Sequence, residues 1–326
     1  MSIVSRIAHL FTENQIMIVF LGILMGFFYP EIFHPISAYG TAILMLIFFT
    51  SSLRLSLGEL AEYAKDWKML SLTSFFKLIF LPVAMWLPCA LFAPDWALPF
   101  LIVGAVPTGM TIALIAEYFG GKTTLALVIT AVTSLLAPFT IPLVFQVVIG
   151  QSVPIPTFKL FTDLLLTIVV PFGAAAIVQN RAKTFVKKHD SWWRQISVVA
   201  FGVLIAAIVA DTTAGSTVTL GWDEVGILIV MLVYMGGLTW LGYVMDYWRT
   251  PPEKATIALC MVYMNNTLAL FIGNRYFSAE GVVPRLVIIL MIVNFLLPPI
   301  RIIAKRAAKN PTVGAPQKKF QPFSLP

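Results

Sequence analysis

Charge is scarce in this 326-residue chain. Aspartate, glutamate, lysine and arginine together make up 11% of it, where a soluble domain carries about 25%. That scarcity argues against a water-facing surface over most of the length, and no stretch resembles a separate soluble domain. Cysteine is nearly missing as well. Cys89 and Cys260 each lie in or beside an apolar segment, a pattern that gives neither a disulfide framework nor a metal site. The three histidines, His9, His34 and His189, fall in terminal or connecting stretches. No paired acid–base group stands inside an apolar run, so the sequence reads as no enzyme. No phosphate-binding glycine loop is present, which argues against ATP-driven pumping, and nothing calls for a cofactor. The formal net charge of +7 does not point to nucleic acid, because the basic residues cluster in loops that flank apolar runs. That placement fits membrane topology.

What the chain has in abundance is hydrophobic residues, at 59%, with a mean hydropathy of +0.89. It reads as an all-α polytopic membrane protein whose main partner is the lipid bilayer. A span of the hydrocarbon core takes roughly 20 apolar residues. Ten candidate segments lie near 15–30, 38–54, 69–92, 97–119, 123–149, 157–179, 195–213, 224–247, 255–277 and 282–303. Residues 1–14 hold Arg6, His9 and Glu13 and read as an amphipathic N-terminal segment, with no small-residue cleavage site to mark a removed signal peptide. The transmembrane unit is 15–309. The polar, proline-containing stretch 310–326 reads as a disordered cytoplasmic tail. With the N-terminus inside, only Lys159, Arg275 and Arg285 fall outside, and Lys77 lies within a span; the other lysines and arginines are all inside. This bias places both termini in the cytoplasm, in a cell inner membrane.

Two of the apolar segments are broken by polar sequence at matching places. The first break is Ala105-Val106-Pro107-Thr108-Gly109-Met110-Thr111, and the second is Met261-Val262-Tyr263-Met264-Asn265-Asn266-Thr267. Broken apolar segments at corresponding places in two halves point to a transporter's binding site, because backbone that leaves the helix at membrane depth must line a cavity or be buried in protein. The surroundings repeat too. Ile112 to Phe119, Gly120-Gly121 and a span ending Leu135-Leu136-Ala137-Pro138 match Leu268 to Phe277, a Gly281 loop and a span ending Leu296-Leu297-Pro298-Pro299. Five segments per half is an odd number, so the second copy is inverted.

At these residues the chain resembles the bile acid:sodium symporter family, over roughly residues 15–305. The matches are Pro107-x-Gly109, Gly121 with the span to Ala137-Pro138, Met264-Asn265-Asn266-Thr267, Leu53-x-Leu55, and Asn294 on the last helix. The resemblance implies ten helices in two inverted five-helix repeats, with broken helices 4 and 9 crossing. It implies a panel (about 15–54 and 157–213) and a core (about 69–149 and 224–303). It also implies an organic anion as substrate, carried by alternating access. Thr108, Gly109, Thr111, Asn265, Asn266, Thr267 and Asn294 are the candidate substrate-binding residues.

The same resemblance implies sodium ligands that this chain lacks. Where the family has a Ser-Asn pair after the first break, the chain has Ile112 and Ala113. A serine and a threonine on segment 5 become Ala126 and Thr130, and a glutamate serving both sites becomes Met261. A glutamine of the second site becomes Lys77. Sodium needs several oxygen ligands, and an ammonium about 4 Å away would repel it by roughly 4 kcal/mol at an effective dielectric of 20. The sequence therefore argues against bound sodium and for sodium-independent transport, with proton coupling open. Two readings of Lys77 stand: a tethered cation bonded to carbonyls of the second break, or a charge that snorkels or pairs locally. Thr130, Thr133 and Ser134 share a helix face, either for ion coupling or bonded to their own helix carbonyls. Glu117 is a proton-accepting candidate or a solvated interfacial carboxylate. Asp163 and Asp211, near outer ends, read as interfacial. A metalloid oxyanion efflux carrier and a transporter-fold sensor are the competing readings. The former loses ground because the cysteine of its first broken helix is absent. Oligomeric state is left open.

Overall fold

The computed structural model describes residues 15–293, apart from 56, 110–111, 151–155, 214–221 and 279–280. The segments 1–14 and 310–326 lie outside it. Every regular element among the described residues is a helix, as expected where apolar backbone cannot turn to water for hydrogen bonds. In chain order the helices are α1 (Gln15–Phe28), α2 (Pro30–Ser37), α3 (Gly40–Ser52), α4 (Leu57–Ala64), α5 (Trp67–Phe92), α6 (Pro94–Ala105), α7 (Ile112–Tyr118) and α8 (Thr123–Ile149). There follow α9 (Thr157–Arg181), α10 (Lys183–Lys188), α11 (Asp190–Thr213), α12 (Trp222–Val244), α13 (Pro251–Val262), α14 (Asn266–Tyr276) and α15 (Val282–Val293).

Four of these, α5, α8, α9 and α11, are long and apolar enough to cross a bilayer. At 1.5 Å per residue the 26 residues of α5 span about 39 Å, more than the roughly 30 Å hydrocarbon core. The chain is thus a multi-pass membrane protein. One detail goes beyond the sequence reading, which placed no helix between the segments 15–30 and 38–54. Here α1 turns by 106° into α2. Pro30 opens α2 at its first position, and Tyr29 before it is pushed out of the helical region, to φ −127° and ψ 52°. The same device turns α5 into α6, where Ala93 precedes Pro94.

Both α5 and α9 carry a π turn, at Phe76–Phe80 and at Leu165–Val169. Each sits two residues before a proline, Pro82 and Pro171. A proline within a helix lacks the N–H and crowds the carbonyl four residues back, and a turn widened by one residue relieves that crowding.

The packing groups the helices. α11 lies against α1, α2 and α3, and α9 lies against α3. The α1–α11 contact is close enough that a Cβ at Gly26 would stand 2.3 Å from Ala206 O, the small-residue packing that membrane helices use in place of a hydrophobic drive. Elsewhere α5 pairs with α6, α12 pairs with α13, and α8 packs on α5, α7 and α13. The two groups meet where α8 touches α9 and where α14 touches α3 and α11.

Two polar networks mark the two ends of the bundle. At one end Arg249 pairs with Asp66, and Lys122 Nζ lies 2.8 Å from Glu253 Oε1. At the other, Arg275 pairs with Asp163 at 2.9 Å and His34 with Asp211 at 3.3 Å.

Candidate functional site

The two breaks meet. Thr108 and Met264 form an isolated antiparallel bridge, held by Gly109 N to Tyr263 O at 3.0 Å and Asn265 N to Pro107 O at 2.8 Å. The approach is tight: a Cβ at Gly109 would stand 2.7 Å from the Tyr263 ring and 2.8 Å from Met264 O. Only glycine fits there without displacing the other strand of the crossing.

The break then sets up what surrounds it. In an uninterrupted helix Met261 O would accept from Asn265 N. Here Asn265 N goes to Pro107 instead, and the last turn of α13 has carbonyls to satisfy. Two side chains do so. Thr108 Oγ1 donates to Cys260 O at 3.1 Å, and Lys77 Nζ donates to Met261 O at 3.2 Å. Lys77 comes from the π turn of α5 and is fully buried. A cation at a helix C-terminus also meets the negative end of the helix dipole. The local-snorkelling reading of Lys77 does not describe this geometry, since the stem runs to another helix and not to a surface.

The positions that the family resemblance assigns to the first sodium ligands are apolar apart from Thr130. Ile112, Ala126, Ile129, Ile257, Cys260 and Tyr263 pack in one hydrophobic cluster, and Ala113 and Met261 are buried at 1% and 0% exposure. Thr130 Oγ1 donates to Ala126 O at 2.8 Å and Thr133 Oγ1 to Ile129 O at 2.7 Å, so both hydroxyl protons stay within α8. Thr133 Oγ1 also accepts from Thr108 N at 3.4 Å, which ties α8 to the crossing. Ser134 Oγ is buried with no hydrogen-bond partner among the described residues. It lines a cavity of about 20 Å³ with Ser51, Ser52, Leu55, Thr130 and Phe172, room for about one water.

Of the other candidates, Asn265 caps α14, its Oδ1 accepting from Leu268 N at 3.2 Å. Its Nδ2 is buried without a partner among the described residues. Asn266 is buried and Thr267 half-buried. Thr111, Asn294 and the side chain of Glu117 lie outside the described residues.

Sequence reasoning passed over Asp246, which is fully buried. Its Oδ2 accepts from Thr73 Oγ1 at 3.3 Å, and Thr73 stands one turn before Lys77 on α5. Its other oxygen has no partner among the described residues. The one available signal was an acidic residue at the end of an apolar run. Near it, Glu253 Oε2 accepts from Thr250 N at 3.1 Å and from Thr250 Oγ1 at 2.9 Å. Burial pushes the Glu253 carboxyl up, but hydrogen bonds from Lys122 and Thr250 outweigh it and hold the group below its usual range.

Two interrupted helices thus cross beside the buried Lys77, and the relatives of this chain are carriers. The model of the SBF-like CPA transporter family matches residues 13–302. The chain belongs to this family. It is 26% identical over 292 residues to the "Uncharacterized sodium-dependent transporter YocS" of Bacillus subtilis, covering 87% of this chain and 88% of that one. It is 25% identical over 254 residues to sodium/bile acid cotransporter 7-A of Xenopus laevis, covering 72% and 74%. Sodium/bile acid cotransporter 7 of Mus musculus is 24% identical over 255 residues, with the same coverage. As a member of the SBF-like CPA transporters the protein is a membrane transporter, not an enzyme. The names of these relatives carry sodium, which makes the apolar cluster and Lys77 the features of this chain to be explained.

Proposed function

We propose that the protein is a secondary active transporter of small or amphipathic organic anions that works by alternating access, with Lys77 in place of the second sodium ion. Ten spans form two inverted five-helix repeats. The core (69–149 and 224–303) moves against the panel (15–54 and 157–213), with both termini in the cytoplasm. The end of the bundle that holds Asp66, Lys122 and Glu253 is then the cytoplasmic one. The observation that carries the reading is the bond from the fully buried Lys77 Nζ to Met261 O, 3.2 Å, at a helix end where carbonyls stand ready for a cation. The apolar filling around Ile112 and Ala126 supports the loss of the first ion as well. Substrate is held at the crossing by Thr108, Gly109, Thr111, Asn265, Asn266, Thr267 and Asn294. A proton is the remaining coupling ion, with Lys77, Thr130, Thr133 and Glu117 as the groups that would respond to it.

Proteoliposomes test this directly. Counterflow of a labelled bile salt and of a labelled monocarboxylate is measured with sodium and with sodium replaced by choline. Equal exchange in both is the expected result, and exchange that requires sodium at every pH sinks the reading. Lys77→Gln is expected to change or abolish the response to a proton gradient; transport identical to the parent removes Lys77 from the mechanism.

A further inference from the structure

Three consecutive residues end α14, and all three reach the other helix group. Arg275 Nε donates to Asp163 Oδ2 at 2.9 Å, and Tyr276 OH donates to the same oxygen at 2.6 Å. Asn274 Nδ2 donates to Asp211 Oδ2 at 3.0 Å. The other oxygen of Asp211 faces His34 Nε2 at 3.3 Å. Asp163 lies on α9, Asp211 on α11 and His34 on α2, so this clasp ties α14 to three helices assigned to the panel.

The clasp differs in kind from the polar network at the opposite end. There Asp66, Lys122, Arg249 and Glu253 all come from the segments that flank core helices, and the network closes on one body. It joins nothing that would have to separate. Between the two bodies, the same half of the molecule holds the cavity lined by Ser51, Ser52 and Leu55 on one side and Thr130 and Ser134 on the other.

The helix that carries the clasp starts at the crossing. Asn265, which caps α14, is bonded through its backbone N–H to Pro107 O, and α14 runs 11 residues from there, about 16 Å. A movement of the crossing is therefore delivered to Arg275 and Tyr276 by a short stiff rod. The ion pair is part-exposed, with side-chain exposures of 41% and 21%. Such pairs add little to stability, which suits a contact that has to open in every cycle.

We propose that Asp163 and Asp211, with Asn274, Arg275 and Tyr276, form the outer gate of the transport cycle, and that this structure has the gate shut. The proposal rests on the two-body alternation and the orientation put forward above. It goes further by assigning the residues that hold the outer side closed.

The full-length protein in nanodiscs tests it, with spin labels at Lys159→Cys and Ser278→Cys across the outer side and, separately, at Lys68→Cys and Lys187→Cys across the inner side. Cys89 and Cys260 are buried and take no label. In the parent the outer pair gives one short distance. In Asp163→Asn/Asp211→Asn a second, longer outer population appears while the inner pair shortens. Arg275→Gln, at an exposed position, gives the same shift and carries the test if the double variant does not fold. Outer distances unchanged from the parent overturn the gate. Longer outer distances with fixed inner distances support the gate and overturn the two-body alternation.

Discussion

The two places where the family resemblance puts sodium are filled in different ways. Around Ile112 and Ala126 the side chains are hydrocarbon and pack in one buried cluster. At Met261 O the buried Lys77 ammonium donates a hydrogen bond. The difference follows from what made each place. A set of side-chain oxygens can be erased by substitution, and an isoleucine there fills the space by van der Waals packing. Backbone carbonyls at a helix break cannot be substituted away. As long as Asn265 N bonds to Pro107 O, the last turn of α13 needs donors from elsewhere, and Thr108 and Lys77 supply them. A place built of side chains can be rewritten by substitution; a place built of backbone keeps its demand for donors.

The hardest blow to that contrast is a charge placed in the hydrocarbon half. Ala126→Asp puts a carboxylate into the apolar cluster without a partner, which costs about 3–5 kcal/mol. The folded, monodisperse fraction after detergent extraction is expected to collapse. A normal yield with an unchanged melting temperature would mean that water or a cation still reaches the place. A smaller effect comes from the backbone half. Thr108→Val keeps the shape but leaves Cys260 O without its donor, at about 1–3 kcal/mol. Its melting temperature is expected to fall measurably, and no fall would mean that the carbonyl finds another donor. The smallest effect lies outside both places and calibrates them. Glu253 has its carboxyl held below the usual range, so the stability it contributes is present above the unfolded value, near 4.3, and is lost as pH falls through the folded one. Thermal unfolding against pH is expected to be flatter below that value in Glu253→Gln than in the parent. Parallel curves would remove Glu253 from the network.

The breaks and the lysine within a span were legible in the sequence, because each interrupts an otherwise apolar pattern; the lack of sodium ligands was legible only through the family resemblance. The identity of the carbonyl that Lys77 reaches was not. It depends on which backbone bond the break diverts, and that is settled by Pro107 in the other break. Thr130 and Thr133 show the limit from the other side: a shared face was readable, but whether a hydroxyl turns to its own helix or to a neighbour is a local choice. Asp163 and Asp211 stood near helix ends, where an acid usually means only water. Their partners lie 112 and 63 residues away on α14, a separation that no local pattern reports. The bend after α1 was hidden because Pro30 reads equally as the end of a helix and as the start of one.

The π turn at Phe76–Phe80 has a geometric consequence for Lys77. One surplus residue puts the stretches of α5 before and after it out of phase by about 100°. Such a surplus can sit a turn earlier or later without breaking the helix at either end. Were it to pass Lys77, the ammonium would swing by that angle about the helix axis, away from Met261 O, while Asp66 and Pro94 stayed where they are. The extra residue thus makes α5 a rod whose ends can be fixed and whose middle can turn.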